Sequence, residues 1–230
     1  MVDLSFLGAK SKYVISQGLD ELAKGETVPP DERILRLVED DRWLVRHSAI
    51  GALAKCRDPR AEAVLLNRAE HTDDAFDLAY INSALAAMGG PRSLPYLEQA
   101  CRNAKQDVAC SALNAIQKIG GARFVSLYVD RLIEGPATVK WYAMAALHAH
   151  GDARFVRPIA NRVVAILKRK RKIEQLPRSE LMEALIYLAK HRSLPEAADV
   201  FDKLLPKRLD RLFPTERKQL DELLAEGSAA

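Results

Sequence analysis

One short phrase recurs along the whole chain at a nearly fixed offset. Its anchor is an apolar residue in GLDELAKG (Leu22), IGALAKCRD (Leu53), NSALAAMGG (Leu85), LNAIQKIGG (Ile116), MAALHAHGD (Leu147) and LIYLAKHRS (Leu188), so successive anchors are 31, 32, 31, 31 and 41 residues apart. A constant period of this length marks a chain built from one supersecondary unit copied in series. The longer last interval holds an insertion, and the segment Lys168 to Pro177 (KRKRKIEQLP) is the candidate for it.

The residues before each anchor are apolar at three- and four-residue spacing, as in Val45, Ala49, Ala52 and Leu53, which is the stripe of a helix and not the alternation of a strand. Glycines follow at Gly89-Gly90, Gly120-Gly121 and Gly151, where positive φ is expected to end the helix. A second apolar stripe then begins, for example Phe124, Val125, Tyr128 and Leu132. Aromatic residues make up only 6% of a chain that is 48% apolar, so the interior must be mostly Ala, Leu, Val and Ile, which suits close helix packing. Each unit is thus a helical hairpin too small to bury its own apolar faces, and the hairpins must stack. The expected repeats are 12–38, 41–70, 74–103, 106–134, 137–172 and 178–205 within a single domain spanning 1–230, closed by a polar C-terminal helix over 206–226, with a frayed tail from Gly227.

The phrase from Asp40 to Leu65, DDRWLVRHSAIGALAKCRDPRAEAVL, resembles the HEAT-like repeats of the phycobilisome-lyase type: Asp, then Val-Arg, small residues, Ala-Leu, an Asp-Pro turn and an apolar second helix. Lys140 keeps the basic position of Arg46, whereas Leu78 and Ala109 replace it. The resemblance covers about residues 12–205 and implies an all-α, right-handed α-solenoid of about six HEAT-like hairpins. It does not by itself imply an activity.

The resemblance further implies that the first helix of each hairpin lines a concave surface. The inward positions so selected are Lys12, Tyr13, Ser16 and Gln17; Trp43, Leu44, His47 and Ser48; Ala75, Phe76, Ala79 and Tyr80; Gln106, Asp107, Cys110 and Ser111; Ala137, Thr138, Trp141 and Tyr142; and Arg178, Ser179, Met182 and Glu183. Six of the chain's fourteen aromatics, both tryptophans among them, fall in this set. Rings on one strip suit a recognition groove, because Trp and Tyr supply wide contact area with few rotors. The competing reading is packing between hairpins.

Charge is unevenly distributed. Residues 1–115 hold 14 basic and 17 acidic side chains, net −3, and residues 116–230 hold 21 and 14, net +7. Lys168, Arg169, Lys170, Arg171 and Lys172 form an uninterrupted basic run. Such a run can face phosphates or an acidic protein, or can simply be a solvated helix end that complements the helix dipole.

Catalytic signatures are scarce. There is no Gly-rich phosphate loop, no G-x-S-x-G and no S-x-x-K. None of His47, His71, His148, His150 and His191 precedes a glutamate, and His148 and His150 lie two residues apart on a helix, pointing in different directions. Cys110 on the expected groove is a candidate nucleophile, but no histidine is placed beside it in sequence, and a buried small-apolar role competes. Three cysteines at irregular spacing suit a reducing compartment, and no apolar run comes near the roughly 20 residues of a membrane span, so a cytoplasmic monomer without cofactor is expected.

These features point to a non-catalytic adaptor or regulatory scaffold that binds a protein or peptide, acidic in one version, through Tyr13, Trp43, His47, Phe76, Tyr80, Trp141 and Tyr142, with the basic run orienting the encounter. The alternatives are a nucleic-acid-binding protein with a groove like that of helical-repeat DNA glycosylases, a bilin lyase or chaperone subunit, and a toxin-neutralising inhibitor of the immunity type.

Overall fold

The computed structural model describes residues 3–56, 58–174 and 179–227. Among them are thirteen α-helices joined by short turns, and no strand. They form two compact units that divide at Gly120–Gly121, inside the fourth expected repeat.

In the first unit, α1 (Lys12–Lys24) is followed by α2 (Glu32–Arg36), α3 (Trp43–Leu53) by α4 (Pro59–Glu70), and α5 (Ala75–Met88) by α6 (Leu94–Ala100), with α7 (Gln106–Ile119) last. The first helices of successive hairpins lie side by side: α1 against α3, α3 against α5, α5 against α7. In the second unit, α8 (Val125–Glu134) packs on α9 (Ala137–His150), which packs on α11 (Glu180–Lys190). There α10 (Val156–Leu167) covers α11 and α12 (Pro195–Asp199), and α13 (Pro214–Gly227) closes over α11. Within each unit the arrangement is the stacking of an all-α solenoid.

The anchors explain the stacking. Leu53, Leu85, Ile116, Leu147 and Leu188 are fully buried, each worth about 1.5–3 kcal/mol in removed apolar surface. Leu22 is only half-buried, as a residue of the first repeat should be. A short 3-10 turn, Ser5–Gly8, partly covers that open end by placing the Phe6 ring on α1 at Gly18, where a Cβ would come within 2.3 Å of the ring.

Helix starts follow a recurring Asp-x-Arg signature. Asp31, Asp58 and Asp152 each accept a hydrogen bond from the backbone N–H two residues on and are gripped by the guanidinium of that same residue, Arg33, Arg60 or Arg154. Asp74 caps α5 through the N–H groups of Phe76 and Asp77, and Ser179 caps α11 through Met182. Such caps contribute about 1 kcal/mol each.

The glycine turns divide into two kinds. Gly89 (φ 72°) and Gly121 (φ 52°) adopt the left-handed conformation expected of them. Gly151 does not: its φ is −70°, and its need is room, since a Cβ would lie 2.5 Å from the Leu147 carbonyl and 2.9 Å from the Tyr187 ring.

Candidate functional site

The first turns of α1, α3 and α5 each carry an aromatic ring into solvent. Tyr13 is 67% exposed, Trp43 60% and Phe76 67%, and Tyr80, one turn beyond Phe76 on the same face of α5, is 46% exposed. The rings extend onto a partly covered neighbour: His47 stacks on Tyr80 with centroids 4.3 Å apart, and Trp43 meets His47 edge-on at 5.7 Å. Large rings left in water cost solvation free energy that packing would have recovered, so this row is an unburied apolar strip on a small unit.

The strip has a charged foundation. Asp77 is completely buried between α3, α4 and α5 and accepts from Arg46 Nε at 2.9 Å to both oxygens and from Arg68 Nη2 at 2.7 Å, while His47 Nε2 lies 2.8 Å from its Oδ1. Arg46 also donates to the Asp40 carbonyl and Arg68 to Glu39. Burial works to raise the Asp77 carboxyl, but the hydrogen bonds from Arg68, Arg46 and His47 together outweigh it and hold it below the usual carboxylate range. Asp77 escaped the sequence reading, although a signal was there: it occupies the slot that Val45 fills 32 residues earlier, a carboxylate in an otherwise apolar position.

Of the positions selected from sequence, Tyr13, Trp43 and Phe76 in the first turn reach solvent, whereas Ser16, His47, Ser48 and Cys110, a turn later, are buried. Ser16 and Ser48 are buried and hydrogen-bonded to each other at 2.7 Å across α1 and α3. His47 is likewise buried, so it supports Trp43 and Tyr80 from beneath and offers a partner little surface. Cys110 is buried on α7, and burial, followed by the nearby Asp107 charge, pushes its thiol up to about 11, which disfavours the nucleophilic thiolate. In the second unit Ser179, Met182 and Glu183 are buried, and Glu183 Oε2 lies 2.6 Å from His148 Nδ1. Arg178 lies outside the described residues, as do the end of the proposed insertion and most of the tail.

Trp141 and Tyr142 are half-buried on α9, their rings edge-to-face at 4.8 Å. The basic run also splits. Lys168, Arg169, Lys170 and Lys172 are exposed, but Arg171, expected in the same surface patch, folds back onto α13 and is an internal clamp instead. It donates to both Glu216 oxygens at 2.5 and 2.6 Å and to the Arg211 carbonyl, and its guanidinium lies 4.8 Å from the Phe213 ring centre. Glu216 is buried and accepts as well from Ser179 Oγ and the Phe213 N–H. Lys140, the counterpart of Arg46, has no carboxylate within ion-pair distance among the described residues; its ammonium donates to the Ile133 carbonyl at the end of α8.

Residues 30–117 match the family model for HEAT repeats, a span that runs from the approach to α2 almost to the end of α7. The match lies within the first unit and covers less than half of the chain. A crystal structure of an engineered protein from the Northeast Structural Genomics Consortium is similar at 16% identity and TM-score 0.41, over 98% of this chain and 94% of that one. No curated protein matches the chain. No described helix is long and apolar enough to cross a membrane.

Proposed function

We propose that the protein is a protein-binding module whose first unit holds a partner segment along the row Tyr13, Trp43, Phe76 and Tyr80. The observation that carries this reading is the exposure of all four rings near the starts of three successive, mutually packed helices. Rigid stacked helices supply preorganisation, and Trp and Tyr are the residues that most often dominate interface energy. Exposed Asp41, Asp73, Asp74 and Asp107 border the row and can orient a partner by charge. The same reading takes the repeats to be of the phycobilisome-lyase type, on the strength of the phrase from Asp40 to Leu65, and gives them an adaptor or regulatory role without chemistry of their own.

Selection from a random-peptide display library against the purified protein tests this, followed by titration of the selected peptide. Trp43→Ala and Phe76→Ala should each weaken binding by about thirty-fold or more, the effect of losing a hot-spot ring, with unchanged thermal stability because both side chains are exposed. A selected peptide indifferent to Trp43→Ala, Phe76→Ala and Tyr80→Ala would defeat the proposal, as would failure to select any.

A further inference from the structure

The second unit holds a cleft of about 450 Å³ unlike the aromatic row of the first. Its walls are the start of α9 (Ala137), one face of α10 (Arg162, Ala165, Ile166), the segment after α10 (Arg169, Arg171, Lys172, Ile173) and the start of α11 (Glu180, Leu181). Four of these ten residues are cationic and one is acidic. The internal pairing can be followed cation by cation. Arg162 is held by Glu180 through two hydrogen bonds of 2.6 and 2.9 Å, and Arg171 is held by Glu216. Arg169 and Lys172 have no carboxylate within ion-pair distance among the described residues. The cleft therefore keeps two uncompensated positive charges at its mouth.

Two further observations agree. Lys140, on the second turn of α9, has its ammonium held below the usual lysine range, first by burial and then by the charges of Arg162 and Arg169, with Glu180 opposing, which places a third cation in the same field. The 14-residue helix α9 starts with Pro136 as its cap, has no side-chain cap hydrogen bond and no acid in its first turn. Its free N–H groups add to the positive potential beside Ala137. The floor is apolar: Ile166 and Leu181 are buried beneath the cations, and Ile173 at the rim is 82% exposed.

Uncompensated cations over an apolar floor, in a space large enough for a small organic molecule, define a ligand with a concentrated negative head and a hydrophobic body. We propose that this cleft binds a phosphate monoester, its phosphoryl group on Arg169 and Lys172 and its organic part against Ile166, Leu181 and Ile173. Arg169 suits the head because a guanidinium can grip two phosphoryl oxygens at once, and Lys172 adds a mobile point charge. The proposal is independent of the aromatic row of the first unit.

Calorimetric titration of the whole protein with inorganic phosphate and with phenyl phosphate, at low and moderate salt, tests it. Phenyl phosphate should bind more tightly than inorganic phosphate, and both should weaken with salt. Arg169→Ala with Lys172→Ala should reduce the affinity for both by about ten-fold or more, since two charge-assisted contacts are removed. Ile173→Ser should narrow the gap between the two probes. Lys168→Ala with Lys170→Ala is the control: it removes the same charge from exposed residues of the same run that do not line the cleft. All five side chains reach solvent, so the fold should survive every variant. An equal loss in that control would overturn the proposal in favour of diffuse charge. Absence of phenyl phosphate binding would also overturn it, and so would tighter binding of an acidic peptide or a single-stranded oligonucleotide than of phenyl phosphate.

Discussion

The two units start from the same repeat phrase and spend it differently. Residues 1–120 carry 15 basic and 17 acidic side chains, net −2, while residues 121–230 carry 20 and 14, net +6. The first unit exposes Tyr13, Trp43, Phe76 and Tyr80 and buries a charge cluster centred on Asp77, whereas the second half-buries Trp141 and Tyr142 and exposes four of the five cations of its basic run. The apolar period sets where helices lie and which side packs. What each surface can recognise depends on single substitutions within that period, such as a carboxylate in the slot of Val45 or a lysine in the slot of Arg46.

The sharpest way to break the first half of this contrast is to neutralise its centre. Asp77→Asn removes the negative charge and strands Arg46, whose side chain is only 10% exposed, while Arg68 keeps Glu39. Stranding buried charge in this way costs about 3–5 kcal/mol, to be read from urea unfolding. The Trp43 ring should then lose its ordered contact with His47, visible as a change in tryptophan fluorescence under folded conditions. An effect below about 1 kcal/mol, the range of a surface pair, would mean that the cluster is dispensable.

The matching test in the second unit should be smaller. Glu216→Gln keeps the shape but takes the charge from Arg171, which is partly exposed and can turn towards water, so a loss of about 2 kcal/mol is expected from weakened charge-assisted hydrogen bonds. Burial works to raise the Glu216 carboxyl, but Arg171, Ser179 and the Phe213 N–H outweigh it and hold it below its ordinary value of 4.5. A depressed carboxyl contributes stability that is complete above the unfolded value and lost as pH falls through the folded one. The difference between wild type and Glu216→Gln should therefore shrink as the solution is acidified from roughly pH 5 to 3. A difference that stays constant over that range would dismiss the ion pair as its source.

Much of the fold was legible from sequence because it rests on local pattern. The anchors Leu53, Leu85, Ile116, Leu147 and Leu188 occupy the core, and Asp74 caps the helix it precedes, since period and cap chemistry are set within a few residues. The exposed rings of Tyr13, Trp43 and Phe76 fall where a first turn meets solvent, whereas Ser16, Ser48 and Cys110, one turn later, are covered by the neighbouring repeat. What escaped depends on distant partners. Arg171 reads as one of five solvated cations until Glu216, 45 residues on, is seen beside it. His47 reads as a surface histidine until Asp77 is found 30 residues away. Gly151 reads as a left-handed cap until the Tyr187 ring occupies the space above it.

That glycine yields the subtlest separation of the two units, because the same substitution should act with opposite sign in each. Gly51 lies inside α3 with nothing within 4 Å of the place a Cβ would take. Gly51→Ala should stabilise by about 0.5–1 kcal/mol, through reduced freedom of the unfolded chain and a better helix former. Gly151→Ala must push a methyl against the Leu147 carbonyl at 2.5 Å and the Tyr187 ring at 2.9 Å, and backbone cannot yield as a long side chain can. A loss of about 1–2 kcal/mol is expected, within the usual range for overpacking, together with disturbance of the hydrogen bond that Tyr187 donates to the Asp152 carbonyl. Denaturant midpoints of the two variants, measured side by side, decide the matter. A gain at both positions would show that Tyr187 moves aside freely and that room is not why glycine stands at 151.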